Sequence, residues 1–187
     1  GNRAAGFNPL GNGIYVAQGA NLTVNNSTIS GNNEVVQSYS AVGGGISSEG
    51  NTYITNSAIG NNGSGGAGGG ILVGSTGVVT VNNSRINDNT ATDAGGGGAY
   101  VRAGGRLRVI NSTISGNTGP AGGGISNNFD NISSARGYLD LFNTVLGIPN
   151  PNTATGSPGT NNVYNETNAV MNAQQNYPSS CDGSGNC

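Results

Sequence analysis

Side chains that can carry out chemistry are scarce in this sequence. Its 187 residues include eight Asp or Glu and six basic residues, all of them Arg, and there is no His. An active site requires nucleophilic, acidic or basic groups that converge on one cleft. The carboxylates are instead spread along the chain, at Glu34, Glu49, Asp88, Asp93, Asp130, Asp140, Glu166 and Asp182. We therefore predict no catalytic residues and no enzyme activity.

Two segments carry oxygen ligands that could suit calcium. The loop 87–93 contains Asp88 and Asp93 beside asparagines, and a solvated loop is the favoured interpretation. Near the C terminus, three side chains match the first ligands of a calcium-binding loop: Asp182, Ser184 and Asn186. No bidentate acid follows them, which weakens the match. We expect neither a metal site nor a cofactor.

The two cysteines indicate an oxidising environment. Cys181 and Cys187 flank a short glycine-containing segment that can close as a disulfide loop. Zinc binding is the alternative, but two cysteines without a histidine make a poor zinc site. A disulfide favours an extracellular or cell-surface location.

The elements that would position these residues are repeats. The heptapeptide NSTISGN occurs twice, and weaker copies lie between and after: residues 26–32, 56–62, 83–89, 111–117 and 143–149. Their first asparagines are separated by 30, 27, 28 and 32 residues. A period of this length indicates a solenoid, a propeller or an array.

A glycine motif of the GGGI type precedes the heptapeptide in each repeat, at 11–14, 43–46, 68–71, 96–99 and 122–125. Short alternating apolar stretches follow it and predict three strands per repeat. The repeat is too short for a propeller blade and shows no helical periodicity. We predict an all-β fold: a lead-in at 1–10, a parallel β-helix of about five three-stranded coils at 11–148, and an irregular C-terminal tail at 149–187.

Stacking the coils predicts which side chains face inward. Two inward columns fall on the middle strand: Val24, Ile54, Val81, Val109 and Leu141, with Leu22, Thr52, Val79, Leu107 and Leu139. Two more fall on the outer strands: Ile14, Ile46, Ile71, Ala99 and Ile125, with Ile29, Ile59, Ile86, Ile114 and Leu146. On the outward face of the middle strand Asp140 lies beside Arg108, which predicts a cross-strand ion pair.

The heptapeptide predicts two asparagine ladders. Asparagine tolerates left-handed backbone angles at a corner, and stacked amides can hydrogen-bond from coil to coil. The first ladder is expected at Asn26, Asn56, Asn83, Asn111 and Asn143. The second is expected at Asn32, Asn62, Asn89 and Asn117, ending at the position of Pro149. The motif is therefore primarily architectural.

Possible binding surfaces involve arginine and aromatic side chains. One group is Arg102, Arg106 and Arg108. These arginines could bind an acidic glycan, although a solubilising patch is the favoured interpretation. A second group, expected as an outward column on the first strand, is Tyr15, Leu72 and Tyr100. Its members could stack on sugars or pack against a partner protein.

The paired motifs resemble the right-handed β-helix repeats of polymorphic outer-membrane-type proteins and related bacterial surface proteins, within the pectate-lyase-like superfamily. The resemblance covers residues 11–147 and implies a secreted or surface-displayed protein. Enzymes of that superfamily use clustered aspartates with histidine, or an acidic calcium cluster with an arginine base. Because this chain lacks histidine and its acids are scattered, a polysaccharide lyase is the least favoured interpretation.

The leading functional expectation is a secreted structural protein that assembles end to end with further copies of itself. The alternative is a monomeric glycan-binding adhesin module. The net charge of −2 gives no reason to expect nucleic acid, and no apolar run is long enough to span a membrane. Among the sequons, the more accessible glycosylation candidates are Asn62, Asn131 and Asn165.

Overall fold

The computed structural model describes residues 13–33, 43–93, 95–128, 134–147, 150–156, 162–166 and 169–174. Regular secondary structure in these ranges is β-strand, arranged in four parallel sheets that we name A to D. No helix in the described part of the chain is long and apolar enough to cross a membrane.

The two largest sheets have six strands each. Sheet A consists of β1 (Ile14–Val16), β4 (Ile46–Ser48), β8 (Ile71–Val73), β12 (Ala99–Val101), β16 (Ile125–Asn127) and β20 (Val163–Asn165). Sheet B consists of β2 (Asn21–Asn25), β5 (Asn51–Thr55), β9 (Val78–Asn82), β13 (Arg106–Ile110), β17 (Tyr138–Phe142) and β21 (Val170–Gln174). In both sheets each strand pairs with the equivalent strand of the next coil.

The two smaller sheets complete the coil. Sheet C consists of β3 (Thr28–Ser30), β6 (Ala58–Gly60), β10 (Arg85–Asn87), β14 (Thr113–Ser115) and β18 (Val145–Leu146). Sheet D consists of β7 (Gly63–Ser64), β11 (Thr90–Ala91), β15 (Thr118–Gly119) and β19 (Thr153–Ala154). The chain therefore visits A, B, C and D in turn, which is a parallel β-helix. The predicted fold is confirmed, and the two-residue strands of sheet D are an addition to the three strands expected per coil.

The registers confirm every inward column. On sheet B, for example, Val81 pairs with Ile54 on one side and Val109 on the other, and all three are at most 1% exposed. Columns of aliphatic side chains fill the narrow interior because parallel pairing places identical positions directly above one another. Burial is weaker in the outermost coils, where the partly buried apolar side chains are Ile14, Leu22, Ile29 and Met171.

The segment 149–187, expected to be an irregular tail, contains three of these strands. β19 extends sheet D, and β20 and β21 add a sixth strand to sheets A and B. Val163 continues the column of Ile125, and Met171 continues the column of Leu139. The coil architecture therefore extends beyond the expected boundary at residue 148.

The glycine motif brings the backbone close to the second asparagine ladder. A Cβ atom on Gly98 would lie 2.5 Å from the carbonyl oxygen of Gly124 and 3.1 Å from the Asn117 side chain. A side chain at this position would therefore displace the ladder or separate the coils. Glycine at this corner and asparagine in the heptapeptide are two parts of one packing arrangement.

Candidate functional site

The second asparagine ladder is buried and fully hydrogen-bonded. Asn89 is 0% exposed, and its Oδ1 accepts from the backbone N of Asn62 at 3.0 Å and from Asn62 Nδ2 at 3.1 Å. Its Nδ2 donates to the carbonyl oxygen of Ile59 at 2.9 Å and to Asn117 Oδ1 at 3.0 Å. Both acceptor and both donor positions of the amide are used. This ladder confirms the structural role predicted for the heptapeptide.

The ladder ends differently from the prediction. Its fifth place is taken by Asn152, whose Oδ1 accepts from the backbone N and from Nδ2 of Asn117 at 3.0 Å, so the expected end at Pro149 is wrong. Asn152 Nδ2 then donates to Asn162 Oδ1 at 3.0 Å. Asn162 immediately precedes β20 and occupies the place that Gly124 holds before β16. An asparagine at a glycine position thus supplies the amide that terminates the ladder.

The first asparagine ladder is exposed and only partly formed. Its members all have positive φ, between 47° and 51°: Asn26, Asn56, Asn83, Asn111 and Asn143. Asn83 Nδ2 donates to Asn56 Oδ1 at 2.6 Å, and Asn143 Nδ2 donates to Asn111 Oδ1 at 2.8 Å. The corner conformation is therefore as predicted, while the amides form two pairs rather than a continuous chain.

A serine ladder lies beside it and was not predicted. The hydroxyl oxygen of Ser84 accepts from the backbone N of Ser57 at 3.0 Å, and the backbone N of Ser84 donates to Ser112 Oγ at 3.1 Å. Ser84 Oγ in turn donates to the carbonyl oxygen of Asn82 at 2.7 Å. The signal was present in the sequence, because serine follows the first asparagine in four of the five repeats.

The expected outward column on sheet A is interrupted. Tyr15 is 42% exposed, but Leu72 is only 2% exposed and belongs to the buried residues. Tyr100 is half-buried, and its hydroxyl accepts from Asn128 Nδ2 at 2.6 Å. Burial raises the pKa of the Tyr100 phenol, and the positive charge of Arg102 partly offsets this effect. These residues do not form one continuous binding surface.

The exposed apolar side chains lie mainly on the outer face of sheet B. Among the described residues, five large apolar side chains are exposed, and four of them are there: Tyr53, Val78, Tyr138 and Phe142, which are 38–51% exposed. Arg106 pairs in register with Tyr138, and its guanidinium lies 5.6 Å from the centre of that ring. This is cation–π distance. Sequence reasoning missed these aromatic residues as a group, although the inward positions predicted for Thr52 and Ile54 leave Tyr53, which lies between them, on the outward face.

Charge on the same face is arranged differently from the prediction. Arg108 and Asp140 are in register, as expected. The ion pair, however, joins Arg106 Nε to Asp140 Oδ2 at 3.6 Å, so the expected partner Arg108 is wrong. Among the described residues Arg108 has no ion-pair partner. It lines a cleft of about 290 Å³ with Arg106, Asp140 and Phe142. We call the exposed surface formed by Tyr53, Val78, Arg106, Arg108, Tyr138, Asp140 and Phe142 the B platform.

The remaining candidates are distributed as follows. In the loop 87–93, Asn87 Nδ2 donates to Asp88 Oδ2 at 2.7 Å, and the described residues contain no group of three or more metal-binding side chains. Asn62 is 2% exposed within the buried ladder, so its expected accessibility to glycosylation is wrong. Asn165 is half-buried, and its Oδ1 accepts from Asn127 Nδ2 at 2.7 Å. The following residues lie outside the described ranges: Asn131, Cys181, Asp182, Ser184, Asn186 and Cys187.

Comparison with known proteins agrees with this geometry. Residues 2–136 match the family described as the right-handed beta helix region. The chain belongs to the right-handed β-helix family. The handedness implied by the sequence resemblance is thereby confirmed. Searches of curated proteins and of solved structures gave no significant match for this β-helix.

Proposed function

We propose that this β-helix is an extracellular, non-catalytic module that binds an acidic glycan through the B platform. The observation that carries the proposal is the combination, on the outer face of sheet B, of exposed aromatic rings with an arginine that has no ion-pair partner among the described residues. The family itself includes both enzymes and non-enzymes. A surface location also fits the resemblance of the repeats to those of bacterial surface proteins.

The chemistry of the platform suits a sugar chain that carries negative charge. Aromatic rings present apolar faces on which sugar rings can stack, and Tyr hydroxyls remain available for hydrogen bonds. Arg108 can donate a planar pair of hydrogen bonds to a carboxylate or sulfate. Arg106 already contacts the Asp140 carboxylate and the Tyr138 ring, so we expect it to lie beside the ligand and Arg108 to make the main charged contact.

Isothermal titration with hexagalacturonate tests the proposal. Arg108→Gln should weaken binding about tenfold or more, because a charge-assisted hydrogen bond contributes about 1.5–3 kcal/mol. The matched control is Arg85→Gln, which removes the same charge from an exposed position on sheet C and should leave the affinity for hexagalacturonate unchanged. Affinity should also fall with added salt. Equal weakening by both variants would show that binding depends on net charge alone and would refute a site on the B platform. No binding by the native protein would also refute the proposal.

End-to-end assembly of a secreted structural protein is the second candidate. It is favoured by the half-buried apolar side chains of the outermost coils, Leu22 at one end of sheet B and Met171 at the other. If β21 of one copy paired in register with β2 of another, Met171 would stack on Leu22 and continue the apolar column.

Light scattering over a concentration series, with negative-stain electron microscopy, tests this candidate. Filaments in the native protein that disappear in Met171→Glu would support it. Strict monomers at every concentration would exclude it.

A further inference from the structure

A polar groove runs along the corner between sheets B and C. It has a volume of about 630 Å³ and is lined by the corner asparagines of four successive coils, Asn26, Asn56, Asn83 and Asn111, with Arg85 at its side. It lies parallel to the coil axis, because each coil contributes the same corner residues. The lining residues within the described ranges include no carboxylate. The groove therefore presents mainly neutral amides, unlike the B platform.

The amides in this groove offer an alternating set of unused hydrogen-bonding groups. Asn56 Oδ1 accepts from Asn83, which leaves Asn56 Nδ2 without a protein partner and Asn83 Oδ1 equally free. Asn111 Oδ1 accepts from Asn143, which leaves Asn111 Nδ2 free. Along three successive coils the groove thus presents a donor, an acceptor and a donor.

A ligand amide fits this alternation. Adjacent coils are about 4.8 Å apart, so the two ends of one secondary amide can face neighbouring coils. Its carbonyl would accept from Asn111 Nδ2, and its N–H would donate to Asn83 Oδ1, in the gap where the ladder bond is missing. The same donor recurs at Asn56 two coils away from Asn111, about 9.6 Å along the axis. In an extended β-linked glycan the side groups of alternate sugars lie on the same side and recur over a similar length.

We propose that this groove binds an extended β-linked glycan carrying acetamido groups, with its chain parallel to the coil axis. Acetamido groups of alternate sugars would occupy the sites at Asn83–Asn111 and at Asn56. The ligand would supply the amide hydrogen bonds that the exposed ladder does not make between its own asparagines. This site is separate from the B platform and does not depend on it.

Chitohexaose, an N-acetylated β-linked hexasaccharide, is the probe, and cellohexaose, which has hydroxyls in place of the acetamido groups, is the comparison ligand. The test variant is Asn56→Gly/Asn111→Gly. Glycine adopts the positive φ of 51° and 49° without strain, so only the amides are lost. The matched control is Asn61→Gly, which removes an exposed asparagine with a φ of 54° that does not line the groove.

The native protein should bind chitohexaose and bind cellohexaose at least about tenfold more weakly. The double variant should lose at least about tenfold in affinity for chitohexaose, while Asn61→Gly keeps native affinity. Thermal unfolding confirms that each variant is folded. Equal affinity for the two glycans, unchanged binding in the double variant, or no binding to the native protein would each overturn the proposal. Arg108→Gln should leave chitohexaose binding intact, which separates this site from the B platform.

Discussion

Replacing Asn89 by alanine should destabilise the fold far more than any change in the exposed ladder. The substitution removes four hydrogen bonds made by a fully buried side chain, with donor–acceptor distances of 2.9–3.1 Å. At about 1 kcal/mol net for each bond, the free energy of unfolding should fall by about 4 kcal/mol. Unpaired groups left on Asn62 and Ile59 remain buried, so this figure is a lower bound.

Chemical or thermal denaturation followed by circular dichroism measures this effect. For a chain of this size, about 4 kcal/mol corresponds to a decrease in Tm of about 8–16 °C. The control is Asn83→Gly, which removes one exposed amide bond at a corner with a φ of 47° and should cost less than about 1 kcal/mol. Equal destabilisation by the two variants would refute the view that the buried ladder holds the coils together.

Three further predictions follow from local geometry. Gly98→Ala should cost about 3 kcal/mol or more in unfolding experiments, because its Cβ would lie 2.5 Å from a carbonyl oxygen of the next coil. Gly19→Ala should cost only about 1 kcal/mol, because no atom lies within 4 Å of its Cβ and only the positive φ of 78° disfavours the side chain. Because burial raises the pKa of Tyr100, its contribution to the free energy of unfolding is retained below about pH 10 and is lost as pH rises further. Arg102→Gln removes a charge that lowers this pKa, so it should raise the pKa further, as measured by phenolate absorbance. Asp140→Asn should cost less than about 1 kcal/mol in the same unfolding assay, because its ion pair is partly open to solvent, with side-chain exposures of 56% for Arg106 and 29% for Asp140.

The inward columns could be predicted from sequence because parallel pairing repeats the same side chain in the same place. Periodicity places Val81 above Ile54 without any knowledge of the corners. Alternation also assigns the outward face of each strand. The left-handed corners followed from asparagine chemistry, and all five expected positions have positive φ.

Features that depend on corner and loop geometry were not predictable in this way. Asn117 and Asn152 are 35 residues apart, whereas Asn89 and Asn117 are 28 apart, so the heptapeptide register fails in this longer coil while the ladder continues. The burial of Leu72 depends on what lies over an outward-facing position, which alternation does not reveal. The choice of Arg106 over Arg108 by Asp140 depends on side-chain direction along neighbouring strands rather than on register.

Titration of the isotopically labelled native protein with hexagalacturonate, followed by backbone amide chemical shifts, tests the glycan-binding account most directly. The account predicts saturable shift changes centred on Tyr53, Arg108, Tyr138 and Phe142 of the B platform. Saturable changes centred on sheet A around Tyr100, or no changes at all, would contradict it.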